Sequence, residues 1–163
     1  MRYIDTSVIV AALDPLDVRQ KATLRVLEDE EDKLVSELTL TELSSILARR
    51  QLGELAGKLG VKDELLIPAL LLYIIKRFGI RYVKLRGYVR LPAIGLLHAP
   101  MALAIELARD IKMRTLDLLH LAYAKLLKDK GLIDVITTID EDFKRNEEVI
   151  QRKLGIRIEF IEV

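Results

Sequence analysis

The sequence predicts an α/β domain with a mainly parallel central sheet of about five short strands, flanked by helices. Three observations predict it. Short runs rich in Ile, Val and Leu alternate along the chain with longer stretches whose apolar residues recur at helical spacing. Asp5 and Asp140 each stand just beyond one of these short runs, where the carboxyl ends of parallel strands open onto a crevice. The composition, 51% hydrophobic and 31% charged over 163 residues, suits a well-ordered core rather than a disordered chain.

Taken in order, Tyr3-Ile4 reads as a short buried strand and Val8 to Leu13 as the opening of a helix. Asp17 to Glu30 keeps a helical period through Ala22, Leu24, Val26 and Leu27 until the acidic cluster Glu28 to Asp32 ends it in solvent. Leu34-Val35 is a second strand, and Leu38 to Leu52 a helix with apolar residues at 40, 43, 46 and 47. Gly53, Gly57 and Gly60 loosen the pattern that follows. Glu64 to Phe78 is a strongly apolar helix and Ile80 to Leu85 a third strand. Gly87 to Pro100, punctuated by Pro92 and Gly95, reads as a loop or irregular segment. Met101 to Arg109 and Leu116 to Lys128 are helices, Asp134 to Thr137 a strand, Glu141 to Lys153 a helix, and Ile156 to Ile161 the last strand.

The bulk numbers exclude several classes. Without cysteine there are no disulfides, thiolate metal sites or cysteine nucleophiles. A net charge of +1 neither demands nor excludes a nucleic-acid partner. The most apolar run, Leu65 to Ile75, contains Pro68 and falls short of the roughly twenty residues that span a bilayer. No signal peptide is read at the start, so a soluble, cytoplasmic protein with no membrane partner is expected. The abundance of Glu, Lys and Arg with a single Asn fits a thermophilic source. The expected organisation is one domain over residues 1–163, with no internal repeat.

Four acids stand where apolar segments start or stop: Asp5, Glu42, Asp117 and Asp140. Each has a purely structural explanation. Thr39-Leu40-Thr41-Glu42 matches a capping box, and Thr138-Ile139-Asp140-Glu141 a capped helix entry. Asp117 falls in a first helical turn, which favours an anion, and Asp5 suits an Asx turn. Their surroundings are mostly apolar, however, and such placement is costly without compensation. Carboxylates that converge cannot all stay ionised without a counter-charge. Oxygen donors without histidine or cysteine suit Mg²⁺, or Mn²⁺, better than zinc, and such a centre promotes hydrolysis of a phosphodiester.

At these residues the chain resembles PIN domains, and among them the toxin ribonucleases of VapBC-type toxin–antitoxin pairs. Ile-Asp-Thr-Ser-Val-Ile-Val, holding Asp5 and Ser7, is similar to the family's first motif, and Leu40 to Leu43 to its second. Leu116 to Ala124 is similar to the third and Thr138 to Phe143 to the fourth. The resemblance implies a three-layer PIN-like domain and a Mg²⁺- or Mn²⁺-dependent endoribonuclease. Asp5, Glu42, Asp117 and Asp140 would be its metal-holding and catalytic acids, with Ser7 and Thr138 supporting them. It also implies a homodimer and an antitoxin partner. The chain departs from compact members by a helical or irregular elaboration within residues 53–97. A PIN-type nuclease of RNA maturation without an antitoxin, and a non-cleaving RNA- or protein-binding scaffold, are the alternatives.

The remaining candidates carry less. His98 and His120 are the only histidines. His120, three residues after Asp117, is read as a packing residue that can touch the site. No Ser–His–Asp set and no Gly-rich phosphate loop is present. Arg81, Lys84, Arg86 and Arg90, interleaved with Tyr82 and Tyr88, suit either RNA contact or a solvated strand edge. Arg49-Arg50 and Lys144-Arg145 are charged faces that could line an approach to the cleft.

Overall fold

The structure, a computed structural model, describes residues 1–49, 60 and 62–162. The expected ends of the helix through Leu52, Arg50, and the glycines at 53 and 57 lie outside these residues.

Five strands form one sheet: β1 (Arg2–Ile4), β2 (Lys33–Val35), β3 (Ile80–Tyr82), β6 (Val135–Thr138) and β7 (Arg157–Phe160). Their order is β3-β2-β1-β6-β7 and every pairing is parallel. Alternate residues of the strands face opposite ways, so Tyr3 and Leu34 join one core cluster while Ile4 and Val35 join the other. Burial on both faces marks the central strands β1 and β2, whereas the edge strands β3 and β7 keep exposed residues.

The chain winds outward from β1 to β3 through α1 (Thr6–Leu13), α2 (Gln20–Glu28), α3 (Glu37–Ala48) and α4 (Asp63–Arg77). Val8, Leu27, Leu43 and Ile74 from these helices pack with Ile4 and Val35. It then returns past β1 to β6 and β7, and reversing direction with right-handed crossovers moves the connecting helices to the other face. There lie α5 (Ala99–Leu107), α6 (Thr115–Asp129), α7 (Glu141–Arg145) and α8 (Glu147–Leu154). Leu107, Leu121, Phe143 and Ile150 represent them in the cluster around Tyr3. The strand order therefore reverses between β1 and β6. Ligand crevices of open α/β sheets form at such a point, outside the carboxyl ends of the strands.

Three elements differ from expectation. Gly87 to Pro100 is not irregular: β4 (Tyr88–Leu91) and β5 (Gly95–His98) pair antiparallel as a separate hairpin. Pro92, read as a breaker, belongs to its turn, where the Ile94 amide donates to the Leu91 carbonyl at 3.3 Å, and Gly95, read likewise, opens β5. Ala93 takes the left-handed conformation there, φ 62°, a position usually held by glycine. The expected helix from Glu141 to Lys153 divides at Asn146, whose side-chain amide donates to the Asp142 carbonyl at 2.8 Å. The second helix begins at Gln20, because the Asp17 carboxylate draws the Arg19 amide into a local turn at 2.8 Å.

Candidate active site

Asp5 and Asp140 hang from the carboxyl ends of the two strands at the switch point. The Asp5 amide donates to the Thr137 carbonyl of β6 at 3.1 Å, and Asp5 then opens α1 as its N-cap residue. Its side chain does not cap that helix. Asp5 Oδ2 instead accepts from Ser7 Oγ at 2.5 Å and from Thr138 Oγ1 at 2.7 Å. The Thr138 hydroxyl in turn accepts from the Asp140 amide at 3.0 Å. One buried threonine thus ties both strand ends to the same carboxylate.

Glu42 arrives from α3. The N-cap of that helix is Ser36, which accepts from the Thr39 amide, so Glu42 lies too far along to be a capping-box partner. Its Oε2 accepts from Thr6 Oγ1 and is 2.7 Å from His120 Nε2. Asp117 occupies the first turn of α6, a helix whose residues 118–124 are all buried. Asp140 caps a helix, as the capped helix entry expects, its Oδ1 accepting from the Asp142 amide at 2.8 Å. Its Oδ2 is left for Arg114 Nη2 at 3.0 Å. All four acids, with Ser7, line one open cavity of about 460 Å³; Thr138 is fully buried behind it.

The electrostatics of this cavity are unbalanced. Asp117 Oδ2 is buried without a hydrogen-bond donor; Arg114 Nε approaches it at 3.4 Å, an ion-pair distance lacking hydrogen-bond geometry. Burial, then the charges of Asp140 and Asp5, push the Asp117 carboxyl up to about 6, against the pull of Arg114. Arg114 is held firmly protonated by Asp117, Asp140 and Asp142, and it lies over the acids from the solvent side. His120 is buried, with Nδ1 2.7 Å from the Tyr3 hydroxyl, which continues to Ser36 Oγ at 2.7 Å. Burial opposes a charge on His120, yet the Glu42 hydrogen bond and the charges of Asp5 and Glu42 outweigh it and raise its pKa. Burial likewise opposes ionisation of Glu42, and His120 and Thr6 overcome it.

The expected acids are therefore together, and His120 is more than packing, since it holds Glu42 and lies 3.5 Å from Asp5 Oδ1. His98 is elsewhere, against the Leu85 carbonyl at 3.0 Å. Lys144 pairs with Glu162 and Arg145 with Asp142, so neither stands free beside the cleft. Sequence reasoning passed over Thr6, Tyr3 and Arg114. Arg114 had a signal, lying three residues before Asp117, an interacting spacing on a helix; Tyr3 had none, being one apolar strand residue among others.

The donor set fits a hard divalent cation in kind, being carboxylate and hydroxyl oxygens with an unsatisfied buried oxygen among them. Among the described residues, no three Asp, Glu or His side chains are gathered as a ready-made metal cage.

Neutralising Asp117 tests this account of the charge. The unfolded chain releases this proton near 3.8 and the folded chain near 6, so stability falls as pH rises through that window and stays lowered above it. Asp117→Asn is expected to stabilise the cation-free protein by up to about 3 kcal/mol at neutral pH, and by almost nothing below pH ~4. Urea unfolding at both pH values checks it; equal stability of the two proteins at neutral pH would refute the account.

A family model described as PIN domain matches residues 2–149. No curated protein matches the chain. Among solved structures, Mycobacterium tuberculosis VapC20, described as a sarcin–ricin loop cleaving toxin, is similar with TM-score 0.59 and 18% identity, covering 89% of this chain and 94% of that one. VapBC2 from Rickettsia felis, bound to a promoter DNA fragment, gives 0.59 and 14%, covering 99% and 100%. FitAcB from Neisseria gonorrhoeae gives 0.58 and 20%, covering 97% and 96%. With acids from four separated segments lining one cavity at the switch point of an all-parallel sheet, and a family model matching most of its length, this chain belongs to the PIN domain family.

Proposed function

We propose that this protein is a metal-dependent endoribonuclease, the toxin of a toxin–antitoxin pair. The observation that carries the reading is the convergence of Asp5, Glu42, Asp117 and Asp140 on one cavity, with Asp117 left short of a proton or a cation. A structural role for each acid would not place all four together, nor leave a buried carboxylate oxygen unpartnered. Family membership and the toxin descriptions of similar structures support the same reading.

Mg²⁺, or Mn²⁺ in its place, would be held by the four acids, directly or through water, and would stabilise charge developing on a phosphodiester. The chain's own groups do the rest. Asp117, whose Oδ2 lacks a hydrogen-bond donor, would take a proton from an attacking water as the water oxygen bonds phosphorus and the bond to the ribose oxygen breaks, the departing oxygen gaining its proton from solvent. Ser7 and Thr138 hold the Asp5 carboxylate in one orientation, and His120 with Thr6 does the same for Glu42. Arg114, its guanidinium largely exposed, is placed to meet a phosphate oxygen at the cavity mouth.

The antitoxin and a second copy of the chain are part of the same proposal. Leu72 and Tyr73 of α4, and Met101 and Ile105 of α5, are exposed apolar side chains of the kind that protein partners cover. Among the described residues, no helix is long and apolar enough to cross a membrane.

Cleavage of single-stranded RNA is expected with Mg²⁺ or Mn²⁺, to stop when EDTA removes the cation, and to return when the cation is restored. Undiminished cleavage in EDTA would refute the metal-dependent reading, and absence of cleavage with either metal would refute the nuclease.

A further inference from the structure

The chain from Leu65 to Ile105 contains no Asp or Glu, yet it holds Lys76, Arg77, Arg81, Lys84, Arg86 and Arg90. Because the whole protein carries only +1, everything outside this segment is net acidic. A long acid-free stretch in so charged a protein concentrates positive potential on one part of the surface.

The structure shows what this stretch builds. Arg77 is paired with Glu28, and Arg81 lies 3.6 Å from Asp32. Lys84, Arg86 and Arg90 are exposed and have no acidic partner among the described residues. Lys84 and Arg86 lie on the connection from β3 into the β4–β5 hairpin, and Arg90 lies on β4 itself. The backbone carrying them is anchored: Leu85 is buried against the core around Tyr3, and His98 holds the Leu85 carbonyl. The Ala99 amide donates to the Gly87 carbonyl at 3.0 Å. Tyr82 ends β3 half exposed, and Tyr88 is 69% exposed, with one edge against His98 at 6.0 Å. Since β3 runs parallel to β1, this segment leaves the sheet at the end where the four acids gather.

Free cations on a fixed backbone, interleaved with exposed aromatic rings, match a ligand that offers a phosphate chain and unstacked bases. We propose that Lys84, Arg86 and Arg90 of this segment, with Tyr82 and Tyr88, form the arm that grips single-stranded RNA beside the bond to be cut. The inference rests on the nuclease reading and names its substrate-holding surface. An acidic peptide would satisfy the cations and leave the tyrosines without a role, which is why RNA is the occupant assigned.

The test measures binding apart from cleavage. Fluorescence anisotropy with a labelled oligouridine of about 20 nucleotides, in EDTA and over a range of KCl, reads affinity and its salt slope. Arg86→Glu with Arg90→Glu is expected to weaken binding about tenfold or more and to flatten the slope by about 1.4, the share of two phosphates. Lys130→Glu with Arg152→Glu makes the same charge change just past α6 and on α8, and is expected to weaken binding less than about threefold. Tyr88→Ala is expected to weaken it about fivefold with the slope unchanged. Thermal melts confirm that each variant is folded, and Tyr88→Ala is the fallback should the double reversal not fold. If the arm variants lose no more than the control pair while wild type still cleaves RNA with Mg²⁺, the arm is wrong and the nuclease stands. If wild type neither binds nor cleaves RNA, both fall. If a polyglutamate peptide binds wild type, and the arm variants lose the peptide but keep the RNA, the surface serves a protein partner and the proposal is overturned.

Discussion

Asp5→Asn is expected to reduce RNA cleavage by about a thousandfold or more while leaving the protein folded. Asp5 is the only one of the four acids fixed by both strand ends at the switch point, and its carboxylate accepts from Ser7 and Thr138 through Oδ2. Asparagine has the same shape and retains one oxygen for those hydroxyls, so the packing of Ile4 and Val8 around it is unchanged. What it removes is the negative charge and one donor to a hard cation. Initial rates at saturating Mg²⁺, beside a thermal melt, separate the two effects. Activity above about one tenth of wild type would show that Asp5 is a structural tether and not part of the chemistry.

His120→Leu is expected to destabilise the fold by about 3–5 kcal/mol, the cost of leaving one side of a buried ion pair alone. Leucine fills similar space but strands Glu42, and it deprives the Tyr3 hydroxyl of a partner. The loss depends on pH in both directions. His120 has a raised pKa, so its contribution is complete below the unfolded value of 6.5 and fades as pH rises through the folded one. Glu42 has a lowered pKa, so its contribution is complete above 4.5 and fades as pH falls through the folded one. The pair therefore stabilises most between these two values. Urea unfolding of wild type and His120→Leu across pH should show the largest gap in that window. A gap under about 1 kcal/mol would mean that the histidine is ordinary packing.

Much of this protein was legible before any coordinates. The alternation of strands and helices, the strand-end positions of Asp5 and Asp140, and the burial of the helix after Asp117 all follow from local apolar spacing, which each segment carries by itself. The hairpin was not legible, because Pro92 and Gly95 mark an irregular loop and a tight hairpin turn equally well. The break at Asn146 escaped for a similar reason: one asparagine amide, reaching back one turn, divides an otherwise continuous helical period.

The amino-acid order alone determined which residues are acids in apolar settings and which elements deliver them. Only the tertiary structure decided who meets whom. Thr138 reaches Asp5 across 133 residues of chain and His120 reaches Glu42 across 78. Both meetings depend on β6 lying beside β1 and on α3 and α6 approaching from opposite faces of the sheet. Hydrophobic periodicity is blind to strand order, since it reports burial within a segment and not which strand lies beside it. The reversal between β1 and β6 is what turns scattered carboxylates into one cavity.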